Sequence, residues 1–155
     1  MRILRTGICN KGFTLLELIV VIFIISLGLA VAFPSFTLRK DAKLKSEAGR
    51  VAAILRYLGD SAVSTKETFE MRLNFKEKRL RYRGPEGEKE ERIENLLDIS
   101  LPSRGKISDG EITVFFGPTG PGENLTIHLA GFESSMAIVF NALSGRVKVL
   151  EHEGI

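Results

Sequence analysis

Apolar residues run almost unbroken from Phe13 to Phe36, interrupted only by Thr14, Glu17, Ser26, Gly28, Pro34 and Ser35. As a helix these 24 residues would extend roughly 36 Å at ~1.5 Å per residue, enough to cross a hydrocarbon layer of ~30 Å. A water-soluble helix rarely lacks a polar face for so long. The next stretch, 37–66, changes pattern. Leu44, Ala48, Val51, Ala52, Leu55, Leu58 and Ala62 recur at steps of three and four, which defines one helical face. Arg39, Lys43, Glu47, Arg50 and Asp60 fall mostly off it. No proline follows Pro34 here, so one long helix is expected, apolar in front and amphipathic behind. Pro34 lacks a backbone donor and is expected to bend it.

From 67 onward the pattern alternates with period two. Phe69–Phe75, Leu80–Arg83, Leu96–Leu101, Ile112–Phe116, Leu125–Leu129, Met136–Phe140 and Arg146–Leu150 read as strands. Lys76–Arg79 and Asn141–Gly145 supply turns. Gly84–Arg92 is polar and charged, and it reads as a solvated loop. Strands at such short spacing imply an antiparallel sheet, and the helix's apolar face needs a cover. The expected fold class is α+β: a long N-terminal transmembrane and amphipathic helix packed on an antiparallel sheet or two-sheet sandwich. The expected organisation is a leader at 1–12, a membrane segment at 13–36, its amphipathic continuation at 37–66 and a β-rich domain at 67–155.

Composition adds two constraints. A chain of 155 residues with 44% hydrophobic and 26% charged residues can bury one core and is not disordered. Its single cysteine, Cys9, rules out a disulfide framework within the chain. The net charge of +3 is local: Arg2, Arg5 and Lys11 stand in the first dozen residues without an acid, and removing them from the 22 Lys and Arg leaves as many bases as the 19 acids. The excess therefore reads as membrane targeting, since the remaining chain has no net field to hold a polyanion.

The residues Lys11-Gly12-Phe13-Thr14-Leu15-Leu16-Glu17-Leu18-Ile19-Val20-Val21 resemble the class III signal of type IV pilins and type II secretion pseudopilins. The resemblance implies cleavage between Gly12 and Phe13 by a prepilin peptidase, which also N-methylates Phe13. It makes Glu17 the acid at the fifth place of the mature chain, paired with the N-terminal amine of a neighbouring subunit, and Pro34 the family's helix-bending proline. Physical chemistry supports the pairing independently. A carboxylate in a bilayer costs roughly 2.5–3.5 kcal/mol, less near an end, so it needs a partner. Cleavage would create an ammonium on Phe13, one turn away, and the helix dipole also favours an anion there. Simple snorkelling of Glu17 to the interface is the plainer alternative. A second cleavage reading exists. Ala30-Val31-Ala32 resembles an ordinary signal peptidase site, and on that reading a secreted soluble enzyme would be released, starting at Phe33. The apolar stretch before it is long for a secretory signal and contains Glu17. Flanking charges do not fix orientation, because Arg2, Arg5 and Lys11 are matched by Arg39, Lys40, Lys43 and Lys45; a cytoplasmic leader follows from the resemblance alone.

The resemblance extends further. Val51–Tyr57, Met71–Phe75, Ile112–Gly120 and Val139–Val147 are similar to segments of H-type minor pseudopilins and related minor pilins. It implies a structural subunit and not an enzyme: a minor pseudopilin of a type II secretion pseudopilus, or alternatively a minor type IV pilus pilin serving assembly, adhesion or DNA uptake. Implied partners are the prepilin peptidase and N-methyltransferase, other pseudopilins or pilins, and an inner-membrane assembly platform. Implied localisation is a single pass through the bacterial inner membrane with a periplasmic C-terminal domain. Glu151 and Glu153 beside Lys148 argue against nucleic acid as a partner. No cofactor is expected. Gly117–Gly122 lacks the Gly-Lys-Ser/Thr of a phosphate loop and reads as a surface turn. His128 and His152 lack neighbouring ligands, so no metal site is expected. Cys9 follows no lipobox-like run, and Ser134 and Ser135 lack a nucleophile-elbow context.

Overall fold

The computed structural model describes residues 13–131 and 134–153, with only the backbone described at 30–41, 120 and 153. The chain divides into two compact units, Met1–Leu38 and Arg39–Ile155. One helix, α1 (Leu15–Thr65), supplies the described structure of the first unit and opens the second. Its backbone stays helical across position 34.

In the second unit all seven apolar positions read from the helical periodicity are buried, from Leu44 to Ala62. Two sheets accompany them. The first has the order β3-β2-β1-β6-β7, with β1 (Phe69–Asn74), β2 (Arg79–Gly84), β3 (Gly87–Arg92), β6 (Glu111–Gly117) and β7 (Gly120–Pro121). The second has the order β10-β9-β8-β4-β5, with β4 (Leu96–Leu101), β5 (Gly105–Ile107), β8 (Leu125–Ala130), β9 (Ser134–Phe140) and β10 (Val147–Glu153). All pairings are antiparallel. Helix and both sheets close over one hydrophobic core. Phe116 of β6 and Phe140 of β9 meet edge-on at 5.6 Å between ring centres, joining the sheets. On β1 the alternation holds as read: Phe69, Met71 and Leu73 point inward while Arg72 is exposed. The α+β expectation stands, in its two-sheet form.

Two expectations need correction, and a third gains detail. Gly84–Arg92 is not a loop. It turns through Gly84–Gly87 and continues as the edge strand β3, paired with β2 from Arg79↔Arg92 to Gly84↔Gly87. Cross-strand charge holds it: Glu90 accepts hydrogen bonds from both Arg79 and Arg81, and Glu88 lies 3.7 Å from Arg83. Such charges also protect a sheet edge from adventitious pairing. Glu47 is not a surface residue, for only 1% of it is exposed. Its Oε2 accepts from the backbone N–H and the side-chain amide of Asn95, both at 3.1 Å, which ties α1 to the start of β4. Gly117–Gly122, read as a surface turn, contains one inside a very tight hairpin, with Phe116↔Pro121 and Gly117↔Gly120 paired.

Candidate processing and assembly site

The site begins at the N-terminus of α1. Thr14 caps it: the Glu17 N–H donates to Thr14 Oγ1 at 3.2 Å, and the Leu18 N–H donates to the Thr14 carbonyl at 3.2 Å. The threonine satisfies a donor that has no partner inside the helix. The spacing Thr-x-x-Glu is itself a helix-start signal. Phe13 precedes the cap and is 71% exposed. Glu17 lies in the first helical turn, where the dipole favours its charge. Phe13 and Glu17 are thus placed one turn apart, as the spacing required. Gly12 lies outside the described residues, as does Cys9. Pro34 lies where only the backbone is described.

From Leu15 to Leu29 every large apolar side chain is exposed, with Val21 the least so at 40%. Among the described residues nothing covers this surface. The one hydroxyl in its second half is already satisfied, since Ser26 Oγ donates to the Ile22 carbonyl at 2.8 Å. Back-bonding of this kind suits a helix in apolar surroundings. Among the described residues no helix is long and apolar enough to cross a membrane. Within the apolar run read from the sequence, described side chains reach Leu29, about 22 Å along the helix from Leu15, and the rest of that run lies where only the backbone is described.

The β domain holds one polar cluster that periodicity did not reveal. Asp98 is fully buried. Its Oδ1 lies 2.6 Å from His128 Nδ1 on the facing strand, and its Oδ2 lies 3.0 Å from Lys106 Nζ. Asp98↔His128 is a register pair across β4 and β8, next to an irregularity at Leu97 that shifts the strand's phase. The cluster staples β4 to β5 and β8. Among the described residues no three His, Cys, Asp or Glu side chains converge as metal ligands.

Residues 9–33 match the family model described as the prokaryotic N-terminal methylation motif. No curated protein matches the chain. Among solved structures, the crystal structure of the type IV minor pilin FimU of Pseudomonas aeruginosa is similar with a TM-score of 0.49, at 16% identity over 74% of this chain and 92% of that one. The motif implies processing by a prepilin peptidase and assembly with other pilins, and it marks the N-terminal region as membrane-anchored. The N-terminal region of the chain thus carries the prokaryotic N-terminal methylation motif.

Proposed function

We propose that the chain is a minor pseudopilin of a type II secretion pseudopilus. The leader 1–12 is removed between Gly12 and Phe13 and Phe13 is N-methylated. Residues 13–36 anchor the subunit in the inner membrane, with Pro34 bending the helix, and the β-rich domain stands in the periplasm. The assembly platform then draws the subunit into a fibre. Its role is structural and not catalytic. The observation that carries this reading is the methylation motif at 9–33, set directly on a helix whose apolar surface is exposed through Leu29. In the assembled fibre the Phe13 ammonium of one subunit neutralises Glu17 of another.

Mass spectrometry of membrane-extracted protein tests the processing step. The mature chain should begin at methyl-Phe13, and Gly12→Ala should retain the leader. A chain that keeps its first dozen residues overturns the reading, and one that starts at Phe33 replaces it with a secreted soluble domain. Glu17→Ala should insert normally yet fail to assemble. Deleting the gene separates the two systems: loss of exoprotein secretion supports the pseudopilus, and loss of surface pili supports a minor pilin.

A further inference from the structure

Charge is distributed unevenly on the outer face of the second sheet. Residues opposite one another in an antiparallel pair share a face. Followed across the strands, the register sets Asp98, His128, Ala137 and Leu150 in one row. The next row has Lys106 at one end and Lys148 at the other, about 19 Å apart at ~4.8 Å per strand. The row on the other side ends in His152. Both histidines of the chain therefore stand on this face. Asp98 is its one acid among the described residues, and it is fully buried between His128 and Lys106. Glu151 and position 153 have the opposite parity on β10, and Glu151 is engaged by Lys45 at 3.2 Å. Lys148 and His152 are exposed, with no carboxylate within ion-pair distance among the described residues. The first sheet differs, because Arg72, Arg79, Arg81 and Arg83 each have a glutamate partner.

The His128 ring is oriented from behind and open in front. Its Nδ1 lies 2.6 Å from the buried carboxylate, while its Nε2 has no partner among the described residues and is accessible to solvent. With its one proton on Nδ1 toward Asp98, the ring offers a lone pair at Nε2; with two protons it offers an N–H there. We infer that this face docks an acidic surface of a protein partner, and that the contact tightens as the pH falls. An imidazole gains its charge within about pH 5–8. Protonation of His128 and His152 adds two positive charges to those of the lysines, and it turns Nε2 of His128 into a donor for a partner's carboxylate. Anion binding favours the protonated rings, so affinity rises as the pH falls. No other described charged group faces His128: β4 contributes Asp98, β5 Lys106, β10 Lys148 and His152, and β9 none. Exposed Leu150 beside Ala137 supplies the apolar centre that a protein interface needs within its charged rim. Nucleic acid fits less well, because these rows hold no arginine and no Phe, Tyr or Trp on which a base could stack.

Fluorescence anisotropy tests it, with the full chain in phosphatidylcholine nanodiscs and a labelled peptide that alternates glutamate and serine around a central leucine. At low salt the affinity should rise several-fold from about pH 7.5 to about pH 5.5, and high salt should abolish binding. Lys148→Gln and His152→Gln remove no described ion pair or side-chain hydrogen bond. Each should weaken binding at the lower pH about threefold, the factor of a surface ion pair, with an unchanged thermal midpoint. His128→Gln combined with His152→Gln should flatten the pH response. If His128→Gln loosens the fold by freeing Asp98, His152→Gln decides alone, and it must remove about half of that response. Arg92→Gln, on the first sheet, should leave the affinity unchanged. Every variant carries the same N-terminal segment, so differences belong to the face whether or not the leader is cleaved. An affinity that ignores pH overturns the proposal. Equal losses from Lys148→Gln and Arg92→Gln overturn it by reducing the effect to net charge. A DNA duplex that binds more tightly and displaces the peptide overturns it in favour of nucleic acid.

Discussion

Substituting Gly84 by alanine should destabilise the β domain through one identifiable contact. A Cβ at position 84 would lie 2.5 Å from Tyr57 Cε1, 2.7 Å from its hydroxyl oxygen and 2.9 Å from Cζ. Carbon atoms rest at about 3.5–4.0 Å, so the ring must withdraw by about 1 Å. It is not free to do so. Tyr57 stands on α1, and Tyr82 meets it edge-on at 6.2 Å and 75°. Overpacking of this kind costs ~1–3 kcal/mol. Reduced freedom of the unfolded chain returns ~0.4–1 kcal/mol. The net loss should be about 1–2 kcal/mol, read as a fall in thermal midpoint by far-ultraviolet circular dichroism of the full chain in mild detergent. A double-mutant cycle isolates the cause. In a Tyr57→Leu background the obstructing ring is gone, and Gly84→Ala should cost nothing. Tyr57→Phe should restore little, because the Cε1 contact survives. Taken alone, Tyr57→Phe should be neutral or stabilising, because the hydroxyl is buried without a hydrogen-bond partner among the described residues. An equal cost of Gly84→Ala in the Tyr57→Leu background would refute the reasoning.

Two further outcomes follow from the buried and paired carboxylates. Glu47→Ala strands the Asn95 N–H and amide that its Oε2 now accepts. With charge-assisted bonds worth roughly 1.5–3 kcal/mol each and the carboxylate's own burial offsetting part of that, it should cost about 2–3 kcal/mol in urea denaturation; Glu47→Gln, which keeps an acceptor, should cost less, and equal losses would argue against the hydrogen bonds. Glu90 is held below its ordinary range by its hydrogen bond to Arg81, with Arg79 adding to the effect. A depressed carboxylate contributes stability above its unfolded range and loses it as the pH falls through the folded value. Below the usual glutamate range the wild-type thermal midpoint should therefore drop further than that of Glu90→Gln, and high salt should shrink the difference; parallel pH profiles would count against the arginine ladder.

What the linear sequence disclosed, and what it hid, divides by the range of the interaction responsible. The core face of α1 was legible because helix periodicity is set within a turn or two. All seven positions of that apolar face, from Leu44 to Ala62, landed inside. Glu47 has the right spacing for that face, three residues after Leu44 and four before Val51. Its charge hides that role in the sequence, because the acceptor function that makes its burial tolerable depends on Asn95, 48 residues away. β3 was hidden for the same reason. Nothing within Gly87–Arg92 resembles a half-buried strand, and its charges make sense only beside Arg79, Arg81 and Arg83 of β2. Asp98 was hidden by a phase shift at Leu97 that no period-two count can anticipate, and by partners on β5 and β8.

The processing signal sits at the opposite extreme. Its residues are adjacent in sequence, so recognising it needs no knowledge of the fold, and the match at 9–33 coincides with the stretch that carries the motif. Its charge logic is also local, since Phe13 and Glu17 are one turn apart and the Thr14 cap fixes where the turn begins.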